Sequence, residues 1–306
     1  MRKENQGLSG LVSDTSTTRK RRTKVASFSF VFALAALIAF SGPSDLPAVA
    51  SESQSSEIDL GEFKPSFRED FDDLDVSEYD CLTKWTAHTP WDGDFGSARF
   101  MGPDDGFPFT TQDGILTIEA RKNAAGKWES GMLSSWNRCN SGFAQKLGYF
   151  ETRARFPTAA GFWPAFWLIG ADRRDGVAEL DIFEYYSHKN DEIYFVIHKH
   201  KATADDEKIT ESRRHSVPAG SLSDRFHTYG AEITETEVIV YIDRKEVWRT
   251  AAPEEFQQPM YLLVSFAAED YRMDENTPDS VKMEIDYIHA YQRRPVGSRH
   301  FKPHPQ

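Results

Sequence analysis

The stretch AELDIFEYY, Ala178 to Tyr186, sets three acids among residues that favour strands. In a helix Glu179 and Glu184 would stand about 140° apart around the axis and could not converge. On a regular strand Glu179 and Asp181 share a face, while Glu184 points the other way. One extra residue near Ile182-Phe183, a β-bulge, returns Glu184 to the carboxylate face. The outer Cα atoms are then about 13 Å apart. Two glutamates leaning inward bring their carboxyls to about 5 Å, the spacing of a retaining rather than an inverting glycosidase. Asp181 falls between them, where it can orient Glu179 and help separate the two titrations. The competing reading is a solvated acidic edge. Against it stand the repulsion of like charges on one face and the apolar neighbour GFWPAFWLIG (161–170).

Outward from this stretch the pattern stays strand-like. GILTIEAR (114–121) and GYFETRARF (148–156) alternate with period two. YFVIH (194–198) is apolar enough to be central, and EVIVYID (237–243) followed by EVWRT (246–250) predicts a hairpin. YLLVSFA (261–267) and KMEIDYIHAYQ (282–292) continue the series. Helical periodicity is scarce, so the expected class is all-β, a sandwich or barrel.

The chain has 306 residues, a net charge of −12, 27 % charged and 13 % aromatic residues, enough for one large domain with a full core. The acidic balance argues against a nucleic-acid partner, which calls for a basic face. Arg19 to Lys24 is basic, residues 25–40 are apolar, and Ala48-Val49-Ala50 closes a segment broken by Gly42, Pro43 and Pro47. That is the form of a secretory signal, with cleavage expected after Ala50 and a secreted or periplasmic product that keeps no stable membrane association. Removing the seven Lys/Arg and three Asp/Glu of residues 1–50 leaves 29 against 45, a net charge of −16. Residues 51–66 read as a linker, 67–292 as one domain and 293–306 as a flexible tail, in a monomer. Export makes a Cys81–Cys139 disulfide an open choice against two buried thiols.

In this series the acidic motif ELDIFE (179–184) resembles the bulged Glu-x-Asp-x-x-Glu of glycoside hydrolase family 16. GYFETRARFP (148–157) and GFWPAFWLIG (161–170) resemble the strands before it, and FHTYGAEIT (226–234) with VIVYIDRKEV (238–247) the next hairpin. QPMYLLVSF (258–266) and EIDYIHAYQ (284–292) resemble the closing strands. The resemblance implies a β-jelly-roll of two curved antiparallel sheets with a concave cleft for a polysaccharide. It implies Glu179 as nucleophile, Glu184 as acid and then base, and Asp181 as an aid to Glu179, with no cofactor required. His198 matches a family histidine beside the acid/base, and Trp163 and Trp167 match tryptophans lining the cleft. Trp91 and Trp136 are loop candidates for further sugar contacts. Some relatives hold a structural calcium, for which Glu69 and Asp286 are the nearest matches.

The loops depart from the glucanase pattern at HTPWDGDFGSARF (88–100), Arg173-Arg174-Asp175-Gly176-Val177 and SFAAED (265–270). The expected substrate is therefore β-1,3- or β-1,3-1,4-glucan or a related bacterial exopolysaccharide. A transglycosylase on cell-wall polymer and a non-catalytic carbohydrate-binding module are the alternatives. Intact Glu179 and Glu184 weigh against the module, since binding alone needs no facing pair.

Overall fold

The structure, a computed structural model, describes residues 56–295 except 92, 175–176 and 201–208. The expected signal segment, and residues 296–306 of the expected tail, lie outside the described residues. Two sheets stack face to face. In the first, the strands run in the order Lys245–Ala251, Glu237–Ile242, His227–Ile233, Gly148–Arg155, Ser280–Arg293, Ile115–Lys122, Trp128–Ser130, Arg99–Phe100. In the second the order is Ile209–Ser216, Glu192–His200, Val177–Glu184, Phe162–Gly170, Met260–Ala268, Met132–Ser134, Trp85–Thr86, Val76–Ser77. The fold is the all-β jelly-roll sandwich that the strand pattern and the resemblance imply. The sheets are mixed rather than purely antiparallel, because Val76–Ser77 pairs parallel with Trp85–Thr86 and Arg99–Phe100 parallel with Trp128–Ser130.

Alternation decides what each face of the second sheet holds. Phe166 and Leu168, Leu180 and Ile182, Phe195 and Ile197 enter the core between the sheets. There Phe183 meets Tyr229 of the first sheet with ring centroids 4.8 Å apart. The intervening residues Ala165, Trp167 and Ile169 form a second apolar cluster with Tyr261 and Leu263 on the outer face. Phe95 and Phe100 of the 88–100 loop pack onto that cluster.

The predicted hairpin is present as Glu237–Ile242 and Lys245–Ala251. Its turn residues Asp243 and Arg244 have φ of 49° and 63°, the left-handed pair that matches strand twist in a two-residue turn. Both side chains have partners there: Asp243 accepts from His227 Nδ1 at 2.8 Å, and Arg244 grips the buried Glu151 at 3.0 Å.

The expected domain limits need correction. Residues 60–62 form a 3-10 turn and Phe63–Glu69 a strand paired with Ser280–Arg293, so most of the 51–66 linker belongs to the fold. Phe63 is 2 % exposed, and the Ser/Glu composition before it masked this apolar anchor. At the other end Arg293 completes the last strand and Arg294 N donates to Glu62 O at 2.7 Å. No helix among the described residues is long and apolar enough to cross a membrane.

Candidate active site

The strand Val177–Glu184 carries the acids. It pairs with Glu192–His200 as Glu179 to His198 and Asp181 to Val196, but then Glu184 to Tyr194. Three steps on one strand match two on its neighbour, which is a bulge. On the other side Trp167 faces Asp181 while the next residue back, Phe166, faces Phe183, which places the extra residue at Ile182-Phe183. Both bulge residues are fully buried in the core, and the consecutive inward pair turns Glu184 outward beside Glu179 and Asp181. The acids share one cleft of about 260 Å³ with Trp163, Trp167 and His198.

Each acid has a different environment. Glu179 Oε2 lies 2.8 Å from His200 Nε2, which leaves its other oxygen for chemistry. Asp181 is 5 % exposed, and burial, then the charges of Glu179 and Glu184, push its carboxyl well above the usual range. Glu184 is raised to about 7, first by burial and then by the charges of Glu179 and Glu269. The Tyr186 hydroxyl, 3.0 Å from Glu184 Oε1, and the nearby Trp163 indole pull the other way without cancelling it. At neutral pH a carboxyl of this kind is poised to give and retake a proton.

His198 lies opposite Glu179, with Nδ1 2.9 Å from Thr210 Oγ1 and Nε2 3.6 Å from Asp181 Oδ2. The second distance is a contact rather than a hydrogen bond. Donor atoms of Glu179, Asp181 and His198 come within 4.8 Å of one another. Trp163 and Trp167 share the cleft face. Trp163 stacks on Tyr186 at 5.4 Å, and Trp167, only 7 % exposed, meets Phe95 at 6.0 Å. Trp91 also lines the cleft, with the Arg173 guanidinium 4.5 Å over its ring. Trp136 is not among the residues lining it; its ring stacks on Tyr261 at 6.1 Å, on the outer-face cluster beside it.

The sequence pattern does not point to His200, Tyr186 or Glu269. His200 had a signal, since it follows His198 by two and so shares its face, but its partner depends on the strand register.

Cys81 and Cys139 are bridged, with Cα atoms 6.1 Å apart. The pair considered for calcium is occupied otherwise. Glu69 accepts from Trp85 Nε1 at 2.8 Å and Phe71 N at 3.0 Å, and pairs with Lys84 at 2.9 Å. Asp286 is ion-paired with Arg153. These two side chains, turned to protein donors, do not fit a cation that needs six to eight free oxygens.

A two-sheet jelly-roll with an acidic, tryptophan-walled cleft on one outer face defines a carbohydrate-cleft protein. The chain belongs to glycosyl hydrolases family 16, whose family model matches residues 104–289. A second model, for beta-glucan synthesis-associated protein SKN1/KRE6/Sbg1, matches residues 13–190. Among curated proteins, Endo-1,3-1,4-beta-glycanase ExsH of Rhizobium meliloti (strain 1021) is 34 % identical over 197 residues, 60 % of this chain and 39 % of that protein. Endo-1,3-1,4-beta-glycanase EglC of the same organism is 32 % identical over 194 residues, with the same coverage of 60 % and 39 %. The chain thus matches about two fifths of the length of these relatives. Among solved structures, SCLam, a non-specific endo-beta-1,3(4)-glucanase, aligns with a TM-score of 0.65 at 22 % identity over 79 % of this chain and 96 % of that one. The laminarinase catalytic domain from Thermotoga maritima MSB8 aligns at 0.61 and 22 % identity over 76 % and 99 %. At that identity the likeness is one of fold.

Proposed function

We propose that the protein is an exported, endo-acting retaining β-glycosidase on β-1,3- or β-1,3-1,4-glucan or a related bacterial exopolysaccharide. The observation that carries this is the bulge at Ile182-Phe183, which sets two glutamates on one face, one bonded to His200 and the other raised by burial. Glu179, held by His200 through one oxygen, attacks the anomeric carbon with the other. Glu184, which holds its proton up to about pH 7, gives it to the departing oxygen. A covalent glycosyl-enzyme forms; Glu184, now ionised, takes a proton from water, and the water displaces Glu179. Asp181, whose burial favours its neutral form, lies between the two glutamates on the same strand. All proton transfers are made by side chains of this chain. The printed names of the relatives support the glucan, and the basic–apolar–small order of residues 19–50 supports export to a secreted or periplasmic location.

The test is reducing-end release on laminarin, mixed-linkage glucan and bacterial exopolysaccharides, with Glu179→Gln as the control. Glu179→Gln should abolish turnover without unfolding. Glu184→Ala should lose the polymer yet, on an aryl glycoside whose leaving group needs no proton, regain rate with azide and give a β-glycosyl azide; an α-azide contradicts retention. A second reading, transfer of the glycosyl group to a sugar instead of water, has support in the match to the β-glucan synthesis model. Longer oligosaccharides from a single oligomer would select it.

A further inference from the structure

Two cavities meet at Glu184 and His198. The first, with Trp163, Trp167 and Glu179, is described above. The second, about 490 Å³, runs past Glu184 to Tyr186, His188, Glu269 and Arg272. Glu179 lines only the first and Glu184 lines both. In a displacement the sugar that becomes bonded to Glu179 must lie in the first. The sugar that leaves with the proton of Glu184 must lie in the second.

The second cavity holds polar groups left without protein partners. Glu269 is 9 % exposed; its Oε1 accepts from the Tyr271 hydroxyl, but its buried Oε2 has no hydrogen bond. Both ring nitrogens of His188 are buried and likewise without one. His188 Nδ1 and Glu269 Oε2 are 3.9 Å apart, too far to bond each other. Burial, then the charge of Arg272, lowers His188, which disfavours its charged form; the neutral ring offers one donor and one acceptor. Buried groups of this kind are costly unless a ligand completes them. A sugar hydroxyl, donor and acceptor at once, can bridge the carboxylate and the imidazole.

We propose that Glu269, His188 and Arg272 form the subsite for the departing sugar and recognise a neutral hexosyl unit through its ring hydroxyls. This rests on the roles given to Glu179 and Glu184. A uronate is disfavoured where its carboxylate would meet the buried Oε2 of Glu269, which accepts no hydrogen bond. Nothing in the sequence marked Glu269 beyond its place in SFAAED, where the chain departs from the family pattern.

The experiment compares two substrates of the purified protein. One is a mixed-linkage gluco-oligosaccharide, whose leaving group is a sugar. The other is the 2,4-dinitrophenyl glycoside of the same donor-side oligosaccharide, whose leaving group needs neither proton nor subsite. Measurement at pH 5 keeps Glu184 protonated whether or not Glu269 is charged. Glu269→Ala and His188→Ala should each lose roughly 10–100-fold in kcat/KM on the oligosaccharide, the range for unpaired buried polar groups. They should stay within about twofold on the dinitrophenyl glycoside. Equal losses on both substrates, or no loss on the oligosaccharide, overturn the subsite. If the wild type hydrolyses neither substrate, the glycosidase reading itself has failed and the subsite falls with it. Arg272→Ala, an exposed change, covers the case in which Glu269→Ala does not fold.

Discussion

His200 Nε2 and Glu179 Oε2 are 2.8 Å apart, and this contact holds one oxygen of a carboxylate that lines the cleft. Val177 pairs with His200 and Glu179 with His198, so the histidine reaches back along its own strand to the acid. A hydrogen bond to a charged carboxylate contributes about 1.5 kcal/mol or more, or roughly tenfold in rate if it is needed for attack. His200→Ala should therefore lower kcat about tenfold with little change in KM. Its half-exposed side chain makes a large thermal shift unexpected. An unchanged kcat would leave His200 without a role in positioning.

Glu184 gives a pH dependence in both rate and stability. Its carboxyl titrates at about 7 in the folded chain against 4.5 for the free side chain. Between those values the folded state binds more protons than the unfolded one. Stability is therefore full at low pH and falls as pH rises through about 7, by on the order of 3 kcal/mol. Asp181, raised by the same causes, adds in the same direction. Glu184→Gln should be more stable than wild type at pH 8, with the gap closing by pH 5, in denaturant titrations. For the active protein, kcat/KM should fall on the alkaline side with an apparent value about 7 that belongs to the coupled acids. Equal stability of the two proteins at pH 8 would contradict this assignment.

The acids and their bulge were legible because strand alternation is a local rule. Ile182 and Phe183, two apolar residues in a row between acids, leave room for one extra residue and little else. The histidine on Glu179 was not legible, since its contact depends on the register set by the turn at 185–191. Glu269 comes from the far end of the strand Met260–Ala268, two strands away, and no sequence spacing relates it to Glu184. The start of the domain is illegible for a different reason. Phe63 is a single buried anchor in a polar run, and composition averages it away.

The two cleft tryptophans should separate by what they lose. Trp167 is 7 % exposed and packs in the outer-face cluster, so Trp167→Ala should cost about 3–5 kcal/mol of stability. Trp163 is more open, its ring is stacked on Tyr186, and its edge lies by Glu184. Trp163→Ala should raise KM for polymer several-fold with a smaller loss of stability, because its face is available to the apolar side of a sugar. Thermal melts and polymer kinetics on the two variants check the split. The reverse pattern would place Trp163 in the packing and Trp167 on the substrate.

Chelation should not matter to the fold. Glu69 and Asp286 already have Lys84, Trp85 and Arg153 as partners. Millimolar EDTA should leave the melting temperature unchanged, and added calcium should not raise it. A rise with calcium would show that these ion pairs open, or that other oxygens bind the ion.

The Cys81–Cys139 bridge should matter to stability far more than to chemistry. It closes a span of 58 residues, a loop length for which the chain-entropy account gives about 4 kcal/mol. The bridge is backed by Asn137, which donates to Cys81 O at 2.9 Å and accepts from Cys139 N at 2.9 Å. Trp136 adjoins it and rests on Tyr261, so the bridge also holds that tryptophan at the flank of the cleft. The acids themselves are fixed by strand ladders on either side, which the bridge does not touch. Replacing both cysteines with serine should lower the melting temperature by roughly 10 °C for a domain of this size. Below the transition, kcat on a short aryl glycoside should stay within about twofold, while KM for long polymer should rise if Trp136 carries a sugar contact. A variant with unchanged melting temperature would mean that the loop is already ordered in the unfolded chain, and that the bridge adds no constraint of its own.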